Sequence, residues 1–145
     1  MAVTGKIYGK VFTALCNKEI DWVDDDIRVS LHTSSYSPDQ DADDYWDDAT
    51  NEVSGTGYST TGAALTSLSS TYTGATNKHV LDAEDVTWSS STITARTAVV
   101  FDYETAVAST SPVICYQQSD ADISSTDGDW KIVWNASGIV EITVA

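Results

Sequence analysis

The chain has 145 residues, the size of one ordinary domain, and 41% of them are hydrophobic, which is enough to build a core. Seven basic residues face 22 acidic ones, so the formal net charge at pH 7 is −15. Because such a chain repels phosphate backbones and anionic lipids, its composition argues against nucleic-acid and membrane binding. The sequence contains no apolar stretch of membrane-spanning length and no signal peptide, so we expect a protein that is made and folded in a cytoplasm.

The first predicted element is a short amphipathic helix over about residues 6–18, laid against a sheet. Thr4 is a candidate N-cap, whereas Gly9 weakens the helix by about 1 kcal/mol relative to alanine. After a turn, apolar and polar residues alternate over 27–32, which is typical of a half-buried strand. The apolar residues that suggest the helix recur at spacings near three and four: Ile7, Val11, Phe12, Leu15 and Ile20.

Residues 34–57 are polar and rich in turn formers, and seven of them are Asp or Glu. They also carry more aromatic residues than a solvated disordered loop would, so we predict one long ordered acidic loop with a helical turn near ADDYWDD. Long ordered loops are usually functional or docked on something. The aromatic residues in or beside the loop are therefore either anchors for a partner protein or a plug for the open end of a sandwich: Trp22, Tyr36, Tyr45 and Trp46.

From residue 58 onward, short strands alternate with turns. The last two strands flank the sequence NASG, which predicts a terminal hairpin. Trp88, Trp130 and Trp134 fall at strand positions where core residues are expected. This pattern predicts an all-β fold in a single domain over 1–145, mainly an antiparallel β-sandwich of jelly-roll or immunoglobulin-like type. The clearest strands are 68–73, 78–83, 91–104, 111–118, 129–135 and 138–145.

Few residues suggest catalysis or a bound group. His32 and His79 have no Cys or His at ligand spacing, and neither a nucleophile elbow nor a phosphate-binding glycine loop is present. The acidic runs 24–26 and 41–48 lack the EF-hand spacing, so a solvated acidic face is favoured over a calcium site. We therefore expect no catalytic residues, no cofactor and no metal, with a cryptic hydrolase kept as a rival because acids are numerous.

The two cysteines, Cys16 and Cys115, lie far apart and both have apolar neighbours. Two buried free thiols are the favoured expectation. A disulfide between them stays open, because sequence alone does not give the separation of the two Cα atoms.

Three stretches taken together resemble a family of small structural proteins of tailed bacteriophages. The matching details include a short N-terminal helix that ends in EIDW, the block LDAEDVTWSSSTITAR and an alternating C-terminal strand. The likeness covers nearly the whole chain and is most specific in its middle third. At NKEIDW the chain departs from its relatives, which commonly have a glycine before the acidic residue. The three stretches are EIDWVDDDIRVSLHTSSYSPDQDADDYWDDATNEVSGTGYSTTGAALT, HVLDAEDVTWSSSTITARTAVVFDY and DWKIVWNASGIVEITVA.

The resemblance implies a non-enzymatic virion component, assembled in the host cytoplasm, that decorates or cements the capsid. Its partners would be the major capsid protein or other virion proteins, and a homo-oligomer is compatible with this role. The family has no catalytic residues to transfer. The alternative is a neck, tail or fibre module that binds a host glycan or receptor through exposed aromatic side chains.

Overall fold

The computed structural model describes residues 2–144, and 45% of the chain is strand against 8% helix. The sheets are antiparallel and one short helix lies near the N-terminus, which confirms the predicted all-β class. No described helix is long and apolar enough to cross a membrane. The elements are β1 (Val3–Ile7), α1 (Val11–Cys16), β2 (Ile27–His32), β3 (Ala63–Ala64), β4 (Ser69–Thr73), β5 (Lys78–Asp82), β6 (Val86–Ser91), β7 (Thr94–Asp102), β8 (Val113–Ser124), β9 (Gly128–Ile132) and β10 (Val140–Thr143), with 3-10 turns at Trp46–Asp48 and Ala108–Thr110.

The strands form three sheets around two apolar cores. The largest sheet has the order β1-β8-β7-β2-β3, and the smaller ones have the orders β10-β5-β4 and β6-β9. On β2, Ile27, Val29 and Leu31 point into a main core that also contains Trp88, Trp130 and Val140 from the small sheets. One face of the large sheet is therefore buried against both small sheets.

The long acidic loop covers the opposite face of the large sheet. Tyr36 and Ala49 from this loop pack with Val99 and Phe101 of β7 in a second core. The loop is ordered and contains the 3-10 turn Trp46–Asp48, where a helical turn was predicted. Since β2 is covered on both sides, its polar residues Ser30 and His32 are buried and Arg28 is partly buried, so the prediction of a half-buried strand is wrong.

Carboxylates inside the loop account for its order. Asp39 Oδ1 accepts the backbone N–H groups of Asp41 and Ala42, each at 3.0 Å. Asp43 Oδ2 accepts the Tyr36 hydroxyl at 2.8 Å and the Asp39 N–H at 3.0 Å. These bonds close turns in the way Asp side chains favour. Some of the carboxylates that make the loop acidic therefore stabilise its conformation.

The N-terminal helix is shorter than predicted. It covers only Val11–Cys16, and residues 3–7 form β1, which pairs with β8. Thr4 is consequently a strand residue, and Lys10 is the N-cap, with no side-chain capping bond. Ile7 lies opposite Cys115 and packs on the main core as a strand residue. The prediction failed because residues 3–7 form a strand by pairing with β8, which lies more than 100 residues later in the sequence.

The predicted terminal hairpin is wrong. β9 pairs with β6, where Trp130 lies opposite Trp88 with the ring centroids 5.7 Å apart. β10 pairs instead with β5, so the two strands beside NASG belong to different sheets. Gly138 has a φ of +99° and lies so close to Val80 that any side chain there would collide with it. Ala145, the last residue of the predicted strand, lies outside the described residues.

Candidate functional site

An open groove of about 930 Å³ lies between the edge of the large sheet and the C-terminal part of the chain. Residues of β1, β7 and β8 line one side, and residues of β9, β10 and the segment between them line the other. Its lining includes the apolar side chains of Ile7, Trp130 and Val140, which belong to or pack on the main core. The groove is therefore a gap in the sandwich through which part of the core is accessible.

β1 borders the groove with a backbone edge to which no strand pairs among residues 2–144. The N–H of Tyr8 donates to Ile114 O and the N–H of Asp120 donates to Ala2 O, so the even-numbered residues face β8. In an antiparallel pair the alternate residues then point away from the partner strand. The N–H and C=O groups of Val3 and Gly5 and the N–H of Ile7 are thus open, whereas Ile7 O accepts Gln40 Nε2 at 3.0 Å.

A second strand edge borders the groove on its other side. β10 is the outer strand of the three-stranded sheet, and Glu141 of β10 lines the groove. The N–H of Val144 donates to Asn77 O, so the even-numbered residues of β10 face β5. Glu141 and Thr143 therefore direct their backbone groups away from β5. Two strand edges that lack a neighbouring strand among the described residues meet at one opening.

The charges of the groove differ from those of the whole chain. Lys6, Arg96 and Lys131 line it against a single acid, Glu141, although acids outnumber bases 22 to seven overall. Arg96 pairs with Asp122 at 2.8 Å and Lys131 with Asp85 at 3.5 Å, while Lys6 has no ion-pair partner among residues 2–144. Glu141 in turn pairs with Lys78 at 2.8 Å, so the groove lining has more bases than acids on a protein in which acids predominate.

The four predicted interface aromatics do not form one surface. Trp22 is 5% exposed in the main core and Tyr36 is 4% exposed in the second core, so both are closed to a partner. Trp46 is half-buried and stacks on Phe101, with ring centroids 4.8 Å apart and planes 9° apart. Tyr45 is also half-buried, and its hydroxyl donates to Glu19 Oε2 at 3.1 Å. These positions fit the prediction that the aromatic residues plug the open end of the sandwich better than the prediction that they anchor a partner protein.

His32 belongs to a fully buried polar network under the acidic loop. Its Nδ1 lies 2.8 Å from Thr50 O, and since a carbonyl only accepts, Nδ1 carries the proton. Nε2 then accepts the Ser30 hydroxyl at 2.8 Å, and Ser30 Oγ accepts Trp46 Nε1–H at 3.0 Å. Ser30 and His32 are both 0% exposed, so this Ser–His pair has no access to a substrate. Its role is to satisfy polar groups between two packed layers.

We expect the His32 ring to stay neutral throughout the range pH 5–8. Burial lowers its pKa from 6.5 to about 4, although the bond to Thr50 opposes the shift. Because the unfolded chain binds the proton more tightly, His32 contributes stability that is lost as the pH falls from about 6.5 towards 4. Ring ¹⁵N shifts followed by NMR from pH 8 to 5 would test this, and a midpoint above pH 6 would contradict it.

Near the start of β2, the buried Asp102 of β7 lies close to the partly buried Asp25. Asp102 is 2% exposed, and its Oδ1 accepts the Glu104 N–H at 3.0 Å. Its Oδ2 is buried without a hydrogen-bond donor among residues 2–144. Burial first, and then the nearby Asp25, raise the pKa of Asp102 to about 7. Among residues 2–144, no three Asp, Glu, His or Cys side chains are grouped as metal ligands.

The two thiols differ in their surroundings. Cys115 is buried, and burial raises its pKa to about 12. Cys16, at the end of α1, is exposed, so the prediction of two buried thiols is wrong for this residue. Both are free, and no disulfide joins them. The short helix leaves its last turn in solvent because only Val11 and Ala14 face the core.

Comparisons with known proteins provide no relative from which a site could be transferred. No protein-family model matches the chain, and no curated protein and no solved structure matches it. The function of the groove is therefore argued from the residues of this chain.

Proposed function

We propose that this chain is a non-enzymatic structural protein of a tailed-phage virion, a capsid decoration or cement protein that binds the major capsid lattice. The resemblance of its three stretches to small phage structural proteins supports the virion role. The observation that carries protein binding is the unpaired edge of β1 beside the groove. Free N–H and C=O groups on an outer strand pair readily with a strand from another chain.

The residues around this edge favour contact with another protein. Natural proteins usually protect outer strands with charges, prolines or covering loops. β1 has Lys6 and one covering contact from Gln40, yet it leaves Val3 56% exposed. Across the groove Val133 is 68% exposed. Burial of these apolar side chains would stabilise a complex, while the acidic remainder keeps the free protein soluble.

Purified protein is expected to bind emptied capsids of the phage that encodes it. Binding would be measured by co-sedimentation, and the bound particles would then be imaged by cryo-electron microscopy. Copies at symmetric positions on the capsid shell are the expected result. Capsids that stay bare at saturating protein concentration would contradict the proposal.

A second candidate function is a neck, tail or fibre module that binds a host glycan. The observation that favours it is the presence of Trp134, Asn135 and Gln117 in the groove lining, since aromatic and amide side chains suit sugar rings and hydroxyl groups. Density for the protein on the tail, together with glycan-array binding that a Trp134→Ala variant loses, would favour this candidate over capsid decoration.

A further inference from the structure

We propose that the groove receives an extended acidic segment of the partner protein, which pairs with β1 as an added strand. This inference rests on the proposed function in one respect, namely that the partner is a protein. It adds the conformation of the bound segment, the backbone groups that hold it and the sign of its charge.

The backbone of β1 defines the conformation of the guest. Val3 and Gly5 each offer one donor and one acceptor, and Ile7 offers one donor, so five open groups face an incoming strand. An extended segment that matches the five residues of β1 is about 17 Å long. Gly5 has no side chain of its own, and the space where its Cβ would lie is occupied by the side chain of Gln117. Gly5 therefore adds no side chain between β1 and a guest strand.

The groove also has room for the side chains of such a strand. Successive residues of a strand point to opposite faces, so every second guest side chain would enter the groove. There it would meet Ile7, Ile132 and Val140, and apolar residues fit at these positions. A volume of about 930 Å³ lies in the range of natural ligand pockets, roughly 300–1,000 Å³, and suits several such side chains.

Charge complementarity selects an acidic guest. Lys6 lacks an ion-pair partner among the described residues, and the pairs of Arg96 and Lys131 are partly exposed, so both can exchange partners at little cost. Lys6 lies opposite Tyr116, so its side chain is on the outer face of β1 and would attract acidic residues on the outer face of the guest. Arg96 and Lys131 line the groove and would attract an acid at a groove-facing position of the guest. A second copy of this chain is the poorer occupant, because two bodies of charge −15 repel each other at long range.

A peptide-binding experiment with the full chain tests the proposal. The probes are two fluorescent ten-residue peptides, one alternating Val with Glu and Thr and the other with Lys in place of Glu, plus an oligouronate as an anionic sugar. Fluorescence anisotropy at low salt is expected to show binding of the Glu peptide and at least about tenfold weaker binding of the Lys peptide. Equal binding of the two peptides would overturn the proposed charge preference.

Two variants separate strand pairing from simple charge attraction. Val3→Pro removes one outward N–H and leaves the bonds of Thr4 and Lys6 to β8, and we expect about three- to tenfold weaker Glu-peptide binding. Val3→Ala, which keeps the N–H, is its control, and unfolding curves check that both variants fold. Lys6→Glu should weaken binding by at least about threefold, whereas Lys18→Glu, an exposed site outside the groove lining, should not.

The outcomes distinguish this inference from the proposed function. If Val3→Pro binds the Glu peptide or emptied capsids as tightly as the parent chain, strand addition is wrong, although capsid binding by the parent would still support a virion role. If the parent binds the Glu peptide but no capsids, strand addition stands and the capsid role fails. Binding of the oligouronate alone, undiminished by Val3→Pro, would overturn the strand and favour the glycan candidate.

Discussion

Replacement of Asp102 by asparagine is expected to raise the free energy of unfolding at pH 8 by roughly 2–4 kcal/mol, the equivalent of a two- to three-unit pKa shift. At this pH the folded parent chain holds an ionised Asp102 that is 2% exposed and lies near the Asp25 carboxyl group. Asparagine keeps the shape and removes one charge. Its carbonyl oxygen can accept the Glu104 N–H as Oδ1 does now, and its amide can donate to Asp25.

The raised pKa of Asp102 determines how the stability of the parent chain changes with pH. The pKa of Asp102 is raised from 3.8 to about 7 on folding, chiefly by burial, so the folded chain binds the proton more tightly than the unfolded chain. The parent chain therefore loses stability as the pH rises from about 4 to 7, and the loss is complete above 7. Asp102→Asn should differ most from the parent at pH 8 and hardly at all at pH 4.

Hydrogen bonds and one ion pair connect the charged residues around Asp102 and Asp25. Asp21 N–H donates to Asp25 Oδ2 at 2.8 Å and holds this carboxyl group in place. Asp26 is bound by Arg28 at 2.8 Å and donates its own N–H to Glu104 Oε2 at 3.1 Å. Arg28 is the cation of this cluster and is already paired with Asp26, so no cation is bound to Asp102 among residues 2–144.

Urea unfolding at several pH values would measure the effect, with Asp120→Asn as the control. Asp120 is exposed on β8, and its replacement removes the same charge without a buried contact. In Asp102→Asn the contribution of Asp102 no longer opposes that of His32, so between pH 4 and 6.5 the stability of the variant should increase with pH relative to the parent. An asparagine variant that is less stable than the parent at pH 8 would refute the raised pKa of Asp102.

The errors of the sequence analysis arise where pairing is non-local. The NASG turn exists, because Gly138 N–H donates to Asn135 O at 2.8 Å and Ser137 N–H donates to Asn135 Oδ1 at 2.9 Å. A local pattern was sufficient to predict this turn. It was not sufficient to predict that the two adjoining strands pair with β6 and β5, some 40 to 60 residues earlier. The contact between Trp88 and Trp130 outweighs a hairpin that would have been closer in sequence.

Ile7 shows the same ambiguity at the other end of the chain. Its spacing fits a helix as well as a strand, because a few apolar residues in a short segment match both periods. The groove could not be predicted for a related reason. Its two edges come from β1 and β10, which lie at opposite ends of the sequence, and no local pattern marks a strand that lacks a neighbour. Alternation over 27–32, in contrast, correctly indicated which face of β2 is apolar.

Replacement of Trp46 by alanine is expected to lower the free energy of unfolding by about 2–4 kcal/mol, somewhat less than the cost of removing a fully buried aromatic side chain, because Trp46 is half-buried. The indole ring stacks on Phe101 at 4.8 Å and contacts the Tyr103 ring edge-on at 5.8 Å, so its loss would open a cavity between loop and sheet. It would also leave Ser30 Oγ without the Trp46 N–H donor beside the buried His32. The acidic loop would then lose its main attachment to the face of the large sheet that it covers.

Two further variants decide between a structural and a partner-binding role for Trp46. Trp46→Phe keeps a ring over Phe101 and loses the bond to Ser30, so about 1 kcal/mol of stability should be lost. Tyr45→Ala, next in the chain, removes only a hydroxyl bond at the surface and a partly exposed ring, and should cost less than Trp46→Ala. Urea unfolding and capsid co-sedimentation would be measured for all three. If Trp46→Ala abolished capsid binding and left the unfolding free energy within about 1 kcal/mol of the parent, Trp46 would be an interface anchor, since a plug must act through stability.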